Sequence, residues 1–85
     1  MPRTLHVVTS RVPSAKRTAA LARARRTRDI ARAAGVHYWV FAGADDPTTW
    51  MEFVEAGDAG ALRLALRQLQ PTGGNDSIFC EVELD

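Results

Sequence analysis

The sequence predicts one α+β domain of ferredoxin-like βαββαβ order, with a four-stranded antiparallel-type sheet and both helices on one of its faces. Two observations carry this prediction. Four short runs have the composition of strands, and two longer runs carry small or apolar residues at helical spacing, with turn residues between them. The 85 residues suffice for one such domain, so residues 1–85 are expected to form a single domain. At this length only about 60% of the unfolded surface is buried, and association of two copies would add stability.

The first strand and the first helix follow each other directly. Residues 5–12 are rich in β-branched side chains and stop before Pro13, which lacks the amide hydrogen that a sheet requires. Ser14 is the predicted N-cap of a helix over 15–34, and Gly35 is predicted to end it in the left-handed conformation. The small residues at helical spacing predict a helix that lies close to the sheet. They are Ala20, Ala24, Thr27, Ala31 and Ala34.

The middle of the chain predicts a hairpin with two apolar faces. Residues 36–44 are apolar or aromatic at both alternating sets of positions, which indicates a strand covered on both sides. Asp45, Asp46 and Pro47 are turn residues, and a second strand is predicted over 49–56. Since the helices can cover only one face, a monomer would expose a large apolar patch. The sequence therefore predicts a homodimer in which two sheets pack face to face.

The last helix and strand are predicted from capping and alternation. Asp58 is the predicted N-cap of a helix that ends at Pro71, with Leu62, Ala65, Leu66 and Leu69 on one face. A loop is expected over 72–76. A last strand follows, in which Ile78, Cys80, Val82 and Leu84 should face the helices, while Phe79, Glu81 and Glu83 face the other way.

Charge is distributed unevenly along the chain. Residues 1–35 carry nine basic residues against Asp29, and residues 36–85 carry nine acidic residues against Arg63 and Arg67, so the halves have charges of about +8 and −7. A basic first helix can bind nucleic acid. The acidic half can instead pair with these basic residues within the fold or across a dimer. Nucleic acid is therefore the weaker alternative partner. Arg25, Arg28 and Arg32 are expected to point away from the sheet.

The stretch 34–69 resembles the dimeric α/β-barrel superfamily, in particular small proteins similar to antibiotic biosynthesis monooxygenases. The resemblance covers about 40% of the chain and lies in the order of its features, which are Gly35, the aromatic strand 38–41, the turn 45–47, Trp50, the acidic strand end 52–55, and Ala61-Leu62. It implies a homodimer whose two sheets enclose a barrel. Members that oxidise aromatic polyketides or degrade haem often carry a Trp after the acidic strand residue and a His on the second helix. Here those places hold Ala56, Gly57 and about Ala65, so no catalytic residue is carried over.

The predicted ligand site lies between the sheet and its dimer mate. If Leu5 and Val7 face the helices, His6 faces the barrel. Alternation then places the other lining residues on the same side, namely His37, Trp39 and Phe41, with Glu81 or Glu83 nearby. A histidine can act as a general base, and flat aromatic side chains can stack on a ligand. Structural packing of these residues is the alternative. Glu52 and Glu55, like Glu81 and Glu83, are candidates for a paired acid and base, but most of these acids are expected to be solvated or paired with arginines of the first helix.

Other classes of function have weak support. Two histidines without a cysteine or carboxylate at ligand spacing do not predict a metal site, and no phosphate-binding loop or nucleophile elbow is present, so no cofactor is expected. The single Cys80 is predicted to be a buried, inert thiol. With no apolar run resembling a signal peptide or a membrane span, the expected location is cytoplasmic, away from membranes.

The sequence therefore predicts a small homodimeric α/β-barrel protein that binds an apolar or aromatic small molecule. The resemblance implies cofactor-independent, monooxygenase-like chemistry, and the residues leave open whether the protein is an enzyme. A non-catalytic dimerisation or ligand-sensing module is the main alternative.

Overall fold

The computed structural model describes residues 2–69 and 75–84 and confirms the predicted βαββαβ order. The strands are β1 (Thr4–Arg11), β2 (His37–Ala42), β3 (Thr49–Ala56) and β4 (Asn75–Cys80), and the helices are α1 (Arg17–Ala33) and α2 (Ala59–Leu69), with one 3-10 turn over Ser14–Lys16 before α1. The sheet has the order β2-β3-β1-β4, and every neighbouring pair is antiparallel. The ferredoxin-like fold class is therefore confirmed.

Strand register divides the sheet into two faces. On the face that meets α1 and α2, here called the helix face, His6 lies opposite Val54 of β3 and Ile78 of β4. The helix-face residues Val54 and Ala56 form a core cluster with Ala31 of α1 and with Leu62 and Ala65 of α2. The other face, here called the open face, is covered by neither helix of the described residues. It comprises Leu5, Val7, His37, Trp39, Phe41, Met51, Phe53, Glu55 and Phe79.

Small side chains allow α1 to lie close to the sheet, as predicted. Ala24 and Ala31 are its buried residues, and Ala31 is fully enclosed. Removing water from this face by close packing stabilises a short domain without requiring large side chains. At the far end of the helix face, Trp50 is buried beneath Arg17, whose guanidinium lies 5.8 Å from the ring centre.

The helix ends agree with two of three capping predictions. Gly35 has a φ of 77°, the left-handed conformation that glycine adopts readily after a helix. Asp58 caps α2, since its Oδ1 accepts a hydrogen bond of 2.8 Å from the backbone N–H of Ala61. Ser14 is not a side-chain cap, because the chain enters a 3-10 turn there and α1 begins three residues later. The predicted stop at Pro71 lies outside the described residues.

The predicted facing of β1 is wrong. Leu5 and Val7 lie on the open face, while His6 and Val8 lie on the helix face. Both alternating sets of β1 contain apolar residues, so hydrophobicity does not distinguish the faces. Val7 is buried even on the open face because β1 is a central strand with neighbours on both sides.

The last strand also differs from the prediction. β4 begins at Asn75, within the region expected to be a loop, and ends at Cys80, so residues 81–84 continue beyond it without strand structure. Ile78 and Cys80 do lie on the helix face, opposite His6 and Thr4. They are nevertheless exposed, because β4 is an edge strand that makes few contacts with either helix. The expectation of a buried Cys80 thiol is therefore wrong.

Membrane insertion by a helix has no support in the described part of the chain. Neither α1 nor α2 combines the length and the apolar character that crossing a bilayer requires.

Candidate functional site

A polar cluster lies between the sheet and α1, where apolar packing would be expected. Glu52 of β3 is 7% exposed, and the hydroxyl of Tyr38 on β2 donates a hydrogen bond to its Oε1. The guanidinium of Arg23 on α1 lies 3.4 Å from Oε2 of the same carboxylate. Burying a carboxylate is costly unless it is paired, and here a phenol and a guanidinium share that role.

Strand pairing brings the cluster together. Val40 lies directly opposite Glu52, so Tyr38, two residues earlier on the same face, is a diagonal neighbour within reach of a long side chain. Arg23 reaches the carboxylate from the helix above. The next turn of α1 adds Thr27, whose hydroxyl donates to the carbonyl oxygen of Arg23 over 3.0 Å.

His6 lies next to this cluster in the centre of the sheet. It is 3% exposed, and its Nε2 lies 3.1 Å from Oδ2 of Asp76 on the edge strand β4. Asp76 pairs with Val8 and is therefore a diagonal neighbour of His6 on the helix face. The buried imidazole on β1 is thus paired with an exposed carboxylate on the neighbouring edge strand, β4.

A cavity separates His6 from the Tyr38–Glu52 pair. Its lining is completed by apolar and polar side chains from both layers, namely Val8, Arg23, Thr27, Val54 and Leu69. Its volume is about 20 Å³, which is room for one water molecule. A carboxylate acceptor, a guanidinium donor and an imidazole converge on it.

The environment of Tyr38 keeps its phenol protonated. Burial raises the pKa of Tyr38, and its hydrogen bond to Glu52 and the negative charge of that carboxylate raise it further, well above its usual range. The phenol is therefore a hydrogen-bond donor to Glu52 throughout the physiological pH range. It does not act as a base at this site.

Alkaline titration can measure this shift without interference, since Tyr38 is the only tyrosine of the chain. We expect ultraviolet absorbance to report ionisation well above pH 10, the ordinary value for tyrosine. Because the pKa is raised on folding, the stabilisation is complete below pH 10 and is lost as the pH rises toward the folded-state pKa. In Glu52→Gln the titration should move back toward 10. An unshifted titration in the native protein would contradict the hydrogen bond.

The structure separates the residues of the predicted ligand site. His37 and Trp39 lie on the open face as expected, stacked with ring centres 5.7 Å apart, and Phe41 packs edge-on against Phe53 at 5.5 Å. His6 lies on the opposite side of the sheet, so this part of the prediction is wrong. Ligand binding by the open-face residues stays a prediction.

The two predicted acids lie near the end of the chain. The guanidinium of Arg3 lies 3.0 Å from Glu81 and 3.2 Å from Glu55, at the edge of the open face. Hydrogen bonds from the side chain and backbone of Arg3 hold the pKa of the Glu81 carboxyl below its usual range. Glu83 is exposed and makes no ion pair with any described residue. Glu81 is therefore part of an exposed ion pair.

The sequence interpretation did not identify Tyr38, Glu52 and Arg23 as a cluster. One signal for it was present, because Glu52 occupies the same alternating set as Trp50, Val54 and Ala56, where an acid is unexpected. The partners that neutralise such an acid come from another strand and a helix, and sequence alone does not specify them. In the described part of the chain, no group of three or more His, Cys, Asp or Glu side chains is placed to hold a metal ion.

Comparison with known proteins establishes the fold. No protein-family model and no curated protein sequence matches this chain. A solved structure named "Putative antibiotic biosynthesis monooxygenase" from Nitrosomonas europaea is similar at a TM-score of 0.79 and 12% identity, over 96% of this chain and 92% of that one. A conserved protein from Methanosarcina mazei Go1 is similar at a TM-score of 0.78 and 16% identity, over 93% of this chain and 92% of that one. A solved structure named "antibiotic biosynthesis monooxygenase" is similar at a TM-score of 0.69 and 15% identity, over the whole length of both chains.

These similarities confirm the predicted structural resemblance. The chain has the fold of the antibiotic biosynthesis monooxygenase-like proteins, over almost its whole length. At identities of 12–16% the likeness establishes the fold and leaves the activity open.

Proposed function

We propose that this protein is a homodimer that binds a small aromatic molecule with a hydroxyl or carbonyl oxygen in the cavity between α1 and the sheet of each protomer. The observation that carries the proposal is the buried Glu52 carboxylate, held by Tyr38 and Arg23 beside a cavity that His6 also lines. A convergent set of buried polar groups in a concavity is the usual arrangement of a ligand site.

The shape of the cavity indicates where a ligand enters. The cavity as it stands holds about one water molecule, and the side chain of Arg23, one of its lining residues, is 38% exposed. Binding of a ring-sized molecule therefore requires Arg23 to rotate outward and enlarge the cavity. Val8, Val54 and Leu69 then contact its apolar part, while Glu52 and His6 meet its oxygen.

Dimerisation is the second part of the proposal. Four large apolar side chains on the open face remain well exposed in one protomer, namely Trp39, Phe41, Met51 and Phe79. Soluble monomers rarely keep such a contiguous patch in water, and a second copy of the same face covers it with a closed two-fold interface.

The names of two structural neighbours make oxygenation the first reaction to test for a bound ligand. A ligand-sensing module without turnover is the second candidate. It is favoured by Ala56 and Ala65, because these positions lack the Trp and His side chains that catalytic members of the resembled family often carry there.

Calorimetric titration with 1-naphthol and with a dihydroxyanthraquinone tests the binding site. We expect Glu52→Gln to weaken binding about tenfold or more, because a charged hydrogen-bond acceptor is lost from a buried site. Glu83→Gln, which neutralises an exposed acid far from the cavity, is the matched control, and Trp39→Phe tests the open face. Equal affinity in the native protein and Glu52→Gln, or binding that depends on Trp39, would exclude the cavity. Oxygen consumption with a bound probe separates an enzyme from a sensing module.

A further inference from the structure

The buried imidazole of His6 has one nitrogen that is paired and one that is not. Nε2 lies 3.1 Å from Oδ2 of Asp76. An ionised carboxylate can only accept a hydrogen bond, so the neutral ring carries its proton on Nε2 and its lone pair on Nδ1. Nδ1 makes no hydrogen bond with any residue that the structure describes. Since the ring lines the cavity, Nδ1 is the nitrogen left to interact with a ligand.

The groups that surround His6 come from every element packed on this part of the sheet. They are Asp76 of β4, Glu52 of β3, Tyr38 of β2, Arg23 of α1 and the apolar Leu69 of α2. Tyr38 donates to Oε1 of Glu52, and Arg23 lies 3.4 Å from Oε2, so both oxygens of this carboxylate have a partner. A carboxylate is in general a weaker base than an imidazole. His6 is therefore the side chain of the cavity lining best suited to accept a proton.

We propose that His6 accepts the hydroxyl proton of the bound molecule, so that the cavity selects acidic phenols and holds them as phenolates. This inference rests on the proposed ligand site. It narrows the ligand to phenols that are acidified by a conjugated carbonyl or nitro group, because proton transfer to an imidazole is easiest when the two acidities are close. The O–H bond of the ligand breaks, its electron pair stays on the oxygen, and the proton forms an N–H bond at Nδ1.

Asp76 acts on this step through His6. Its carboxylate holds the proton on Nε2, which leaves Nδ1 free, and its negative charge stabilises the imidazolium that forms. The side chain of Asp76 is 68% exposed, whereas that of His6 is 3% exposed. Because solvent and salt screen an exposed charge, we expect Asp76 to contribute less than His6 itself. Asp76 is therefore a positioning residue, and His6 is the group that contacts the ligand.

The absorbance of 4-nitrophenol tests the proton transfer, because its phenolate absorbs visible light and its phenol does not. At a pH below the probe's own pKa, we expect the ratio of phenolate to phenol to be about tenfold or more higher for the bound than for the free probe, since a neighbouring imidazolium favours the charged form. In His6→Gln the bound probe should remain the phenol, because burial disfavours a charge. In Asp76→Asn the ratio should lie between these two values.

Two controls separate proton transfer from binding. 4-Nitroanisole carries a methyl ether in place of the hydroxyl, so its calorimetric affinity should be the same within about threefold for the native protein and His6→Gln. His37→Gln removes the other histidine of the chain, which lies on the open face away from the cavity, and should leave the phenolate ratio unchanged. The same variant assigns the two sets of imidazole signals in an NMR spectrum. Those of His6 should move to the imidazolium position when 4-nitrophenol binds.

The outcomes distinguish this inference from the proposed ligand site. A native protein that binds neither probe would overturn both. Binding of 4-nitrophenol as the phenol, or as the phenolate to the same extent in the native protein and His6→Gln, would overturn proton transfer to His6 alone. If His6→Gln does not fold, the NMR spectrum of the native protein decides, since His6 signals that stay at the position of a neutral imidazole would overturn the inference.

Discussion

Phe41→Asp is expected to convert the proposed dimer into a monomer of 9.3 kDa. Phe41 is 58% exposed in the open face, beside Trp39 and Phe53. A carboxylate at this position would be buried without a partner when two open faces meet, and each dimer would carry two copies of that cost. Light scattering coupled to size-exclusion chromatography measures the mass directly.

The control for this experiment is Leu64→Asp. Leu64 is 62% exposed and lies on α2, outside the open face, so the same substitution adds the same charge at a similar exposure. Its mass should stay that of the native protein. Dissociation of both variants, or of neither, would contradict an interface on the open face.

Leu62→Ala is expected to lower the free energy of unfolding by about 2–5 kcal/mol, since it removes a fully enclosed side chain and leaves a cavity. Leu62 is 2% exposed and packs in the cluster with Ala31 and Val54. Small domains are stable by only about 5–15 kcal/mol, so this loss is a large share of the total. Urea denaturation at one fixed protein concentration measures it, because dimerisation makes stability depend on concentration.

Leu64→Ala provides the comparison for Leu62, two residues away on the same helix. We expect it to change the free energy of unfolding by less than about 0.5 kcal/mol, as is usual for exposed positions. Similar losses in both variants would mean that α2 is rotated relative to the sheet from the packing described above.

Sequence patterns predicted the elements well wherever local chemistry determines them. The strand expected over 49–56 coincides with β3, and Gly35 and Asp58 terminate helices as expected. Patterns failed where both alternating sets of residues in a strand were apolar, and where the burial of a side chain depended on the neighbouring strands. In β1 the burial of Val7 comes from flanking strands, and in β4 the exposure of Cys80 comes from its place at the edge. Whether a strand lies at the centre or at the edge of the sheet is not encoded in its own sequence.

The candidate site was harder to predict than the fold. The facing of Trp39 and Phe41 followed correctly from alternation in β2. The cavity cluster did not, because Tyr38, Glu52 and Arg23 come from three elements and meet only through strand register and the position of α1. The predicted facing of β1 differs from the observed facing by one residue, and this places His6 on the opposite side of the sheet from the one predicted.

The single neighbour of β4 also affects how the native protein opens. Among the strands that the structure describes, β4 pairs with β1 alone, and all six of its side chains are exposed, so its detachment from one protomer exposes little additional apolar surface. We therefore expect partial unfolding to begin at this strand, and its amides to exchange with deuterium faster than those of β1 and β3 that face each other. Because Asp76 would leave with the strand, each such opening would release the imidazole of His6 and admit solvent to the cavity beside it. We therefore expect the rate of β4 detachment to set how often solvent reaches the cavity from that edge.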